Sequence, residues 1–205
     1  MAVYTTFFLC EPTTLVDGFP GWRVPLEEPV RREIRNPFTG ELMVIQSREP
    51  EWPENNMDEV PDLNYQAITI EGSYEDYLEA RLPPFVHRHP HWAAKELTPA
   101  ELEPLLDILD VQGRLEPAIY SPPLSGNAIE EFPAEFLAKL KSIDARAAAE
   151  RWAAALSTPE YTHSVSGVKL SGGWTAREAF DILKPIVSLG LKATPAQRMY
   201  LLTEV

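Results

Sequence analysis

Three of the four histidines fall in Val86-His87-Arg88-His89-Pro90-His91-Trp92. Alternate residues of an extended chain share a face, so His87, His89 and His91 could converge on a zinc ion, with a water in the fourth position and a nearby carboxylate as base. That chemistry would be metal-assisted hydrolysis. Pro83, Pro84 and Pro90 make the segment irregular, however, so alternation need not mean convergence. A surface cluster without metal is the competing expectation, and a contact that changes charge on protonation is a third.

The single cysteine, Cys10, ends the apolar run Val3 to Leu9. No histidine or lysine lies near it in sequence, and a thiol without a basic neighbour is a core residue rather than a nucleophile. One cysteine also excludes an internal disulfide framework. Ser164-Val165-Ser166-Gly167 lacks the G-x-S-x-G elbow, and Ser171-Gly172-Gly173-Trp174 lacks phosphate-loop spacing. No catalytic signature emerges. Phe38, at the tip of Asn36-Pro37-Phe38-Thr39-Gly40, reads more naturally as core than as an exposed anchor.

The strongest signal is electrostatic. The chain has a net charge of −13; residues 49 to 131 carry −14, against −1 for residues 1 to 48 and +2 for residues 132 to 205. From Glu49 to Glu79 there are ten carboxylates and no lysine or arginine. Such a field repels nucleic acid and anionic membranes and attracts basic partners, counter-cations or divalent metal. Trp52, Tyr65, Tyr74 and Tyr77 are interleaved with the charges, and aromatic side chains supply the desolvated anchors that dominate interface energy. The candidate partner-binding residues are therefore Glu49, Glu51, Trp52, Glu54, Asp58, Glu59, Asp62, Tyr74 and Tyr77. The competing view is a solvated acidic face, with the aromatics in the core. The expectation drawn is a cytoplasmic, non-enzymatic protein without cofactor that binds a basic partner, in its most specific form an immunity protein occluding a toxin. A zinc hydrolase using the three histidines, or an acidic assembly subunit, are the alternatives.

These residues need a frame. Val3 to Leu9 reads as a buried first strand; it lacks the basic flank of a secretory leader. Pro12, Pro20, Pro25 and Pro29 predict irregular connection. Val30 to Arg35 and Glu41 to Arg48, around the Pro-Phe-Thr-Gly turn, predict a hairpin. Glu49 to Asp62 reads as an exposed acidic loop, Tyr65 to Glu71 as a strand, and Ser73 to Leu82 as a short helix.

Thr98-Pro99-Ala100-Glu101 is a capping box with proline at the first helical position, and Gly113 should end that helix. Pro117 to Asn127 reads as connection. Ala134 to Leu140 and Ala145 to Leu156 predict a helical pair, the second capped by Asp144. Thr175-Ala176-Arg177-Glu178 opens the last long helix, bent at Pro185 and terminated by Gly190. Met199 to Thr203 is read as a final strand. The whole is one α+β domain over 1–205: a small antiparallel sheet mainly from the N-terminal part, packed by C-terminal helices. Phe132 to Leu156, followed by the Trp174 helix and an apolar C-terminus, resembles a pattern in small uncharacterised bacterial proteins, a resemblance that brings no functional residues with it.

Overall fold

β1 (Tyr4–Cys10) is the strand on which everything else is laid. Thr5 to Cys10 are all buried, which requires a layer on each face of the sheet rather than one face in water. In the computed structural model, which describes residues 4–35, 40–52, 82–95, 97–121, 128–158 and 174–204, both layers are present. The protein is α+β. Among the described residues a five-stranded antiparallel sheet has the order β4-β1-β7-β6-β5, and a two-stranded sheet pairs β2 with β3. The strands are β2 (Val30–Arg35), β3 (Leu42–Ser47), β4 (His91–Lys95), β5 (Glu116–Tyr120), β6 (Ala128–Glu131) and β7 (Arg198–Glu204).

The hairpin and the first and last strands lie where the sequence predicts them. The other strands of the large sheet do not. β4, β5 and β6 come from stretches whose prolines read as connection or that carried no strand signal, and Pro117 falls inside β5 at a register shift. β5 lies at an edge of the sheet, the one place where a proline's missing N–H costs no ladder bond. The expected strand Tyr65 to Glu71 and helix Ser73 to Leu82 fall outside the described residues, apart from Leu82.

Register divides the sheet cleanly. Phe7 and Leu9 face the same way as Trp92, Ala94, Met199 and Leu201, into a core built with α3 (Pro99–Ile108), α4 (Phe136–Ser142), α5 (Ala145–Leu156) and α6 (Ala176–Leu191). Phe8, Cys10, Ile119, Ile129, Tyr200 and Leu202 face the other way. They meet α1 (Pro12–Gly18), Phe19, Trp22 and α2 (Pro84–His87) in a second, smaller core. α1 begins with proline at a first-turn position, where the missing amide costs nothing. The proline spacing had hidden that helix.

The starts of α3, α5 and α6 follow the sequence closely. The Glu101 carboxylate accepts from the Thr98 N–H at 2.7 Å, and the Glu178 carboxylate from the Thr175 N–H at 2.8 Å. The Asp144 carboxylate accepts from the Arg146 and Ala147 N–H groups. Helix ends do not follow it. α3 stops at Ile108, ahead of Gly113, and Asp110 takes the left-handed conformation at φ 52°, which aspartate tolerates better than most residues. α6 continues to Leu191, through both Pro185 and Gly190. Gly190 is there for close approach: a Cβ at this position would lie 2.9 Å from Leu140 Cδ1 of α4.

Candidate functional site

The acidic segment begins beside the β5 edge of the large sheet. Arg23 extends that edge by a bridge to Tyr120, its N–H donating to the Tyr120 carbonyl at 3.0 Å and its carbonyl accepting at 2.8 Å. The Leu26 N–H donates to the Arg48 carbonyl at 2.7 Å, tying this stretch to the end of the β2–β3 hairpin. Glu49, Glu51 and Trp52 follow directly and are met by arginines of the same chain.

Arg32 pairs with the Glu49 carboxylate at 3.7 Å and donates to its carbonyl. Arg23 donates to the Glu51 carbonyl at 2.8 Å and places its guanidinium 5.2 Å above the Trp52 ring. Trp52 is half-buried, and its indole N–H has no acceptor among the described residues. Burial raises the Tyr120 hydroxyl above its ordinary range, with Glu49 and Glu130 adding to the effect. Glu49 is thus partly neutralised from within, while the Glu51 side chain stays exposed. These three expected residues are brought together. Glu54, Asp58, Glu59, Asp62, Tyr74 and Tyr77 lie outside the described residues.

The histidines are close in space but differ in setting, because His87 ends α2, His89 sits in the turn and His91 begins β4. His89 Nδ1 lies 2.8 Å from the Phe85 carbonyl, with its ring tilted against that of Phe85 at 4.3 Å between centroids. His91 Nδ1 lies 2.8 Å from the His89 carbonyl, and its ring meets His87 edge-on at 5.8 Å. Nitrogens bonded to backbone carbonyls orient rings within the turn. Among the described residues no group of three His, Cys, Asp or Glu side chains is placed to hold a metal ion. The shared-face expectation fails on backbone grounds: a helix end, a turn and a strand start do not alternate as one strand does.

A third constellation was not legible in the sequence. Glu131 on β6 is registered opposite both Glu116 on β5 and Tyr200 on β7. The Tyr200 hydroxyl is hydrogen-bonded to the Glu131 carboxylate, and Arg198 lies 3.8 Å from it. Burial raises the Glu131 carboxyl above its ordinary range, while Arg198 and Tyr200 pull it back. Cys10 is registered opposite Arg198 on the same face, and burial pushes its thiol up to about 12 despite a hydrogen bond with Thr14. A thiol so disposed is neutral and inert at neutral pH.

Beside this group a cavity of about 340 Å³ is lined by Gln112, Arg114, Glu116, Glu131 and Phe132, among others. Arg114 is already paired with Asp107 at 3.0 Å. The arrangement can accept hydrogen bonds and hold a cation, but the described residues put no activated nucleophile there. The alternation Ile129-Glu130-Glu131-Phe132 is the one signal that could have flagged it, since it sends adjacent carboxylates to opposite faces of a strand.

Comparison of the chain with protein-family profiles, with curated proteins and with solved structures finds no match.

Proposed function

We propose that the protein is a non-catalytic binding protein whose acidic segment docks a basic protein partner, and that its most specific form is an immunity protein blocking the cationic site of a toxin in the cytoplasm. The observation that carries this is the charge segregation: ten carboxylates from Glu49 to Glu79 without a cation, in a chain whose remaining charge nearly cancels. Two features of the described residues support it. The segment starts at a sheet edge with the Glu51 side chain exposed, and Trp52 is held in place by Arg23. An anchor ordered before binding forfeits less entropy on association.

Energetically the carboxylates steer and the aromatic side chains hold. Opposite charge raises association rates at low salt by as much as orders of magnitude, whereas an exposed pair contributes only about 0–1 kcal/mol. Close, desolvated pairs couple by roughly 1.5–7 kcal/mol. Glu51 and its neighbours should therefore govern the rate, and Trp52 the lifetime of the complex.

The experiment is to inspect the genes flanking the one for this chain, purify the product of any that encodes a basic protein and titrate it with the full-length protein; flanking genes of metabolic enzymes alone would count against the reading. The basic protein's activity should fall in proportion to one equivalent, with an association rate that drops steeply as salt rises. Reversing Glu51, Glu54 and Asp58 to Lys should slow association about tenfold or more at low ionic strength. An unchanged rate in a folded triple variant would refute the docking role of the segment.

A further inference from the structure

β7 follows every other described element in the chain yet sits inside the large sheet, between β1 and β6. Among the described residues it is the one strand joining two ribbons, β4–β1 and β6–β5. It runs antiparallel to both neighbours, registered from Tyr4↔Glu204 to Cys10↔Arg198 on one side and from Ala128↔Thr203 to Glu131↔Tyr200 on the other. Both cores depend on it. Met199 and Leu201 enter the helical core, Tyr200 and Leu202 the smaller one, and none of these side chains is more than 1% exposed.

We infer that the groove between β1 and β6 is a strand-binding site, filled in the intact protein by β7 and able to take the same extended segment as a separate peptide. Two strand edges face one another across it, so an entering strand satisfies its backbone on both sides rather than on the single side of ordinary edge addition. Side chains choose the occupant. A slip of one residue would turn Met199 and Leu201 out of the helical core. A slip of two would keep the faces but displace Arg198, 3.8 Å from the Glu131 carboxylate, and the Tyr200 hydroxyl hydrogen-bonded to it. The Phe132 N–H, donating to the Met199 carbonyl at 3.0 Å, continues the ladder just past the end of β6. The ligand is therefore an apolar β-segment with a cation and a tyrosine two residues apart.

The covalent link to β7 carries little. Thr194, Pro195 and Ala196 are exposed. Their turn closes on itself, the Gln197 N–H donating to the Thr194 carbonyl at 3.1 Å and the Thr194 N–H to the Gln197 side-chain oxygen at 3.0 Å. A break there leaves the registered pairs from Arg198 onward intact. Order of synthesis also leaves the groove empty for a time. About 190 residues separate Cys10 from Arg198, so at roughly 5–20 residues per second the β1 edge waits about 10–40 s for β7. Over that interval Phe8 and Cys10 have no β7 beside them, and the groove is open to a matching strand. The site is independent of the acidic segment.

The test uses the full chain with a protease recognition sequence inserted between Pro195 and Ala196. Cut after folding, the protein should elute from gel filtration as one species with the β7 fragment still bound. A fluorescent peptide of residues 196–205 should exchange into the cut protein but not the uncut one, and the same peptide carrying Leu201→Asp should enter neither. After the fragment is stripped in urea and the remainder diluted into buffer, Cys10 should react with a thiol reagent as fast as in the unfolded chain. Peptide at about 100 µM should then slow that reaction about tenfold or more and restore the native circular dichroism. Release of the fragment from the cut protein would overturn the inference, and so would equal entry of the Leu201→Asp peptide. A stripped chain that protects Cys10 without peptide would do the same, as would one left unprotected by peptide while the uncut protein refolds on the same dilution. Should the insertion itself prevent folding, residues 1–195 are coexpressed with residues 196–205 fused to a soluble carrier. A soluble complex of the two is expected, and a long piece recovered only as aggregate would refute the site.

Discussion

Replacing Trp152 with Phe tests whether the helical layer is held as the packing implies. Trp152 on α5 is 0% exposed, and its indole N–H donates to the Glu101 carbonyl of α3 at 2.8 Å. Its ring lies 5.2 Å from that of Trp174. Phenylalanine loses the hydrogen bond, a net cost of about 0.5–1.5 kcal/mol. It also leaves part of the indole volume empty; truncation of such a residue to alanine costs about 3–5 kcal/mol, and the smaller change should cost roughly 1–2. The sum is about 2–3 kcal/mol, or a drop of roughly 5–10 °C in Tm for a domain of this size. Trp174 is only half-buried, so Trp174→Phe should cost less than about 1 kcal/mol. Thermal and urea unfolding of both variants by circular dichroism decides the matter. A Trp152→Phe loss below about 1 kcal/mol, or one equal to that of Trp174→Phe, would refute the claim that this side chain staples α3 to α5.

Two further predictions concern buried groups. Glu130 points to the helical side of the sheet, and burial raises its carboxyl above the ordinary 4.5, with Glu103 adding to the effect. The folded state therefore holds the proton more tightly than the unfolded one, so the stability linked to Glu130 is present below about 4.5 and is lost as pH rises through the folded value. Glu130→Gln should flatten that decline in urea unfolding curves and stabilise the protein at neutral pH; an unchanged slope would count against the burial argument. Cys10, with its thiol at about 12, should react with a thiol reagent at pH 8 far more slowly in the native protein than after unfolding. Equal rates in the two states would show the thiol to be accessible.

Local chemistry was legible wherever a side chain acts on its own backbone. Thr98, Asp144 and Thr175 cap helices as their spacing implies, because a cap depends on residues within one turn. The hairpin and the first and last strands followed for a similar reason: the first and last have apolar, β-favouring middles, and the hairpin strands flank a local proline-and-glycine turn. Gly113 and Gly190 misled because a glycine can serve closure or close approach, and only the position of Leu140 tells which. The prolines misled because one at a helix start or a sheet edge costs little, and neither setting is visible before the elements are assembled.

By itself, then, the sequence determined the charge of the middle of the chain, the starts of α3, α5 and α6 and the α+β class, all of which depend on composition or on neighbours a few residues apart. Tertiary structure alone decided that β1 pairs with β7, some two hundred residues away. It also decided that Glu131 meets Tyr200 and Arg198, that Arg32 claims Glu49, and that the three histidines serve a helix end, a turn and a strand. Those contacts join residues far apart along the chain, and their selection rests on which apolar faces can be buried together, a property of the whole assembly that no local window contains.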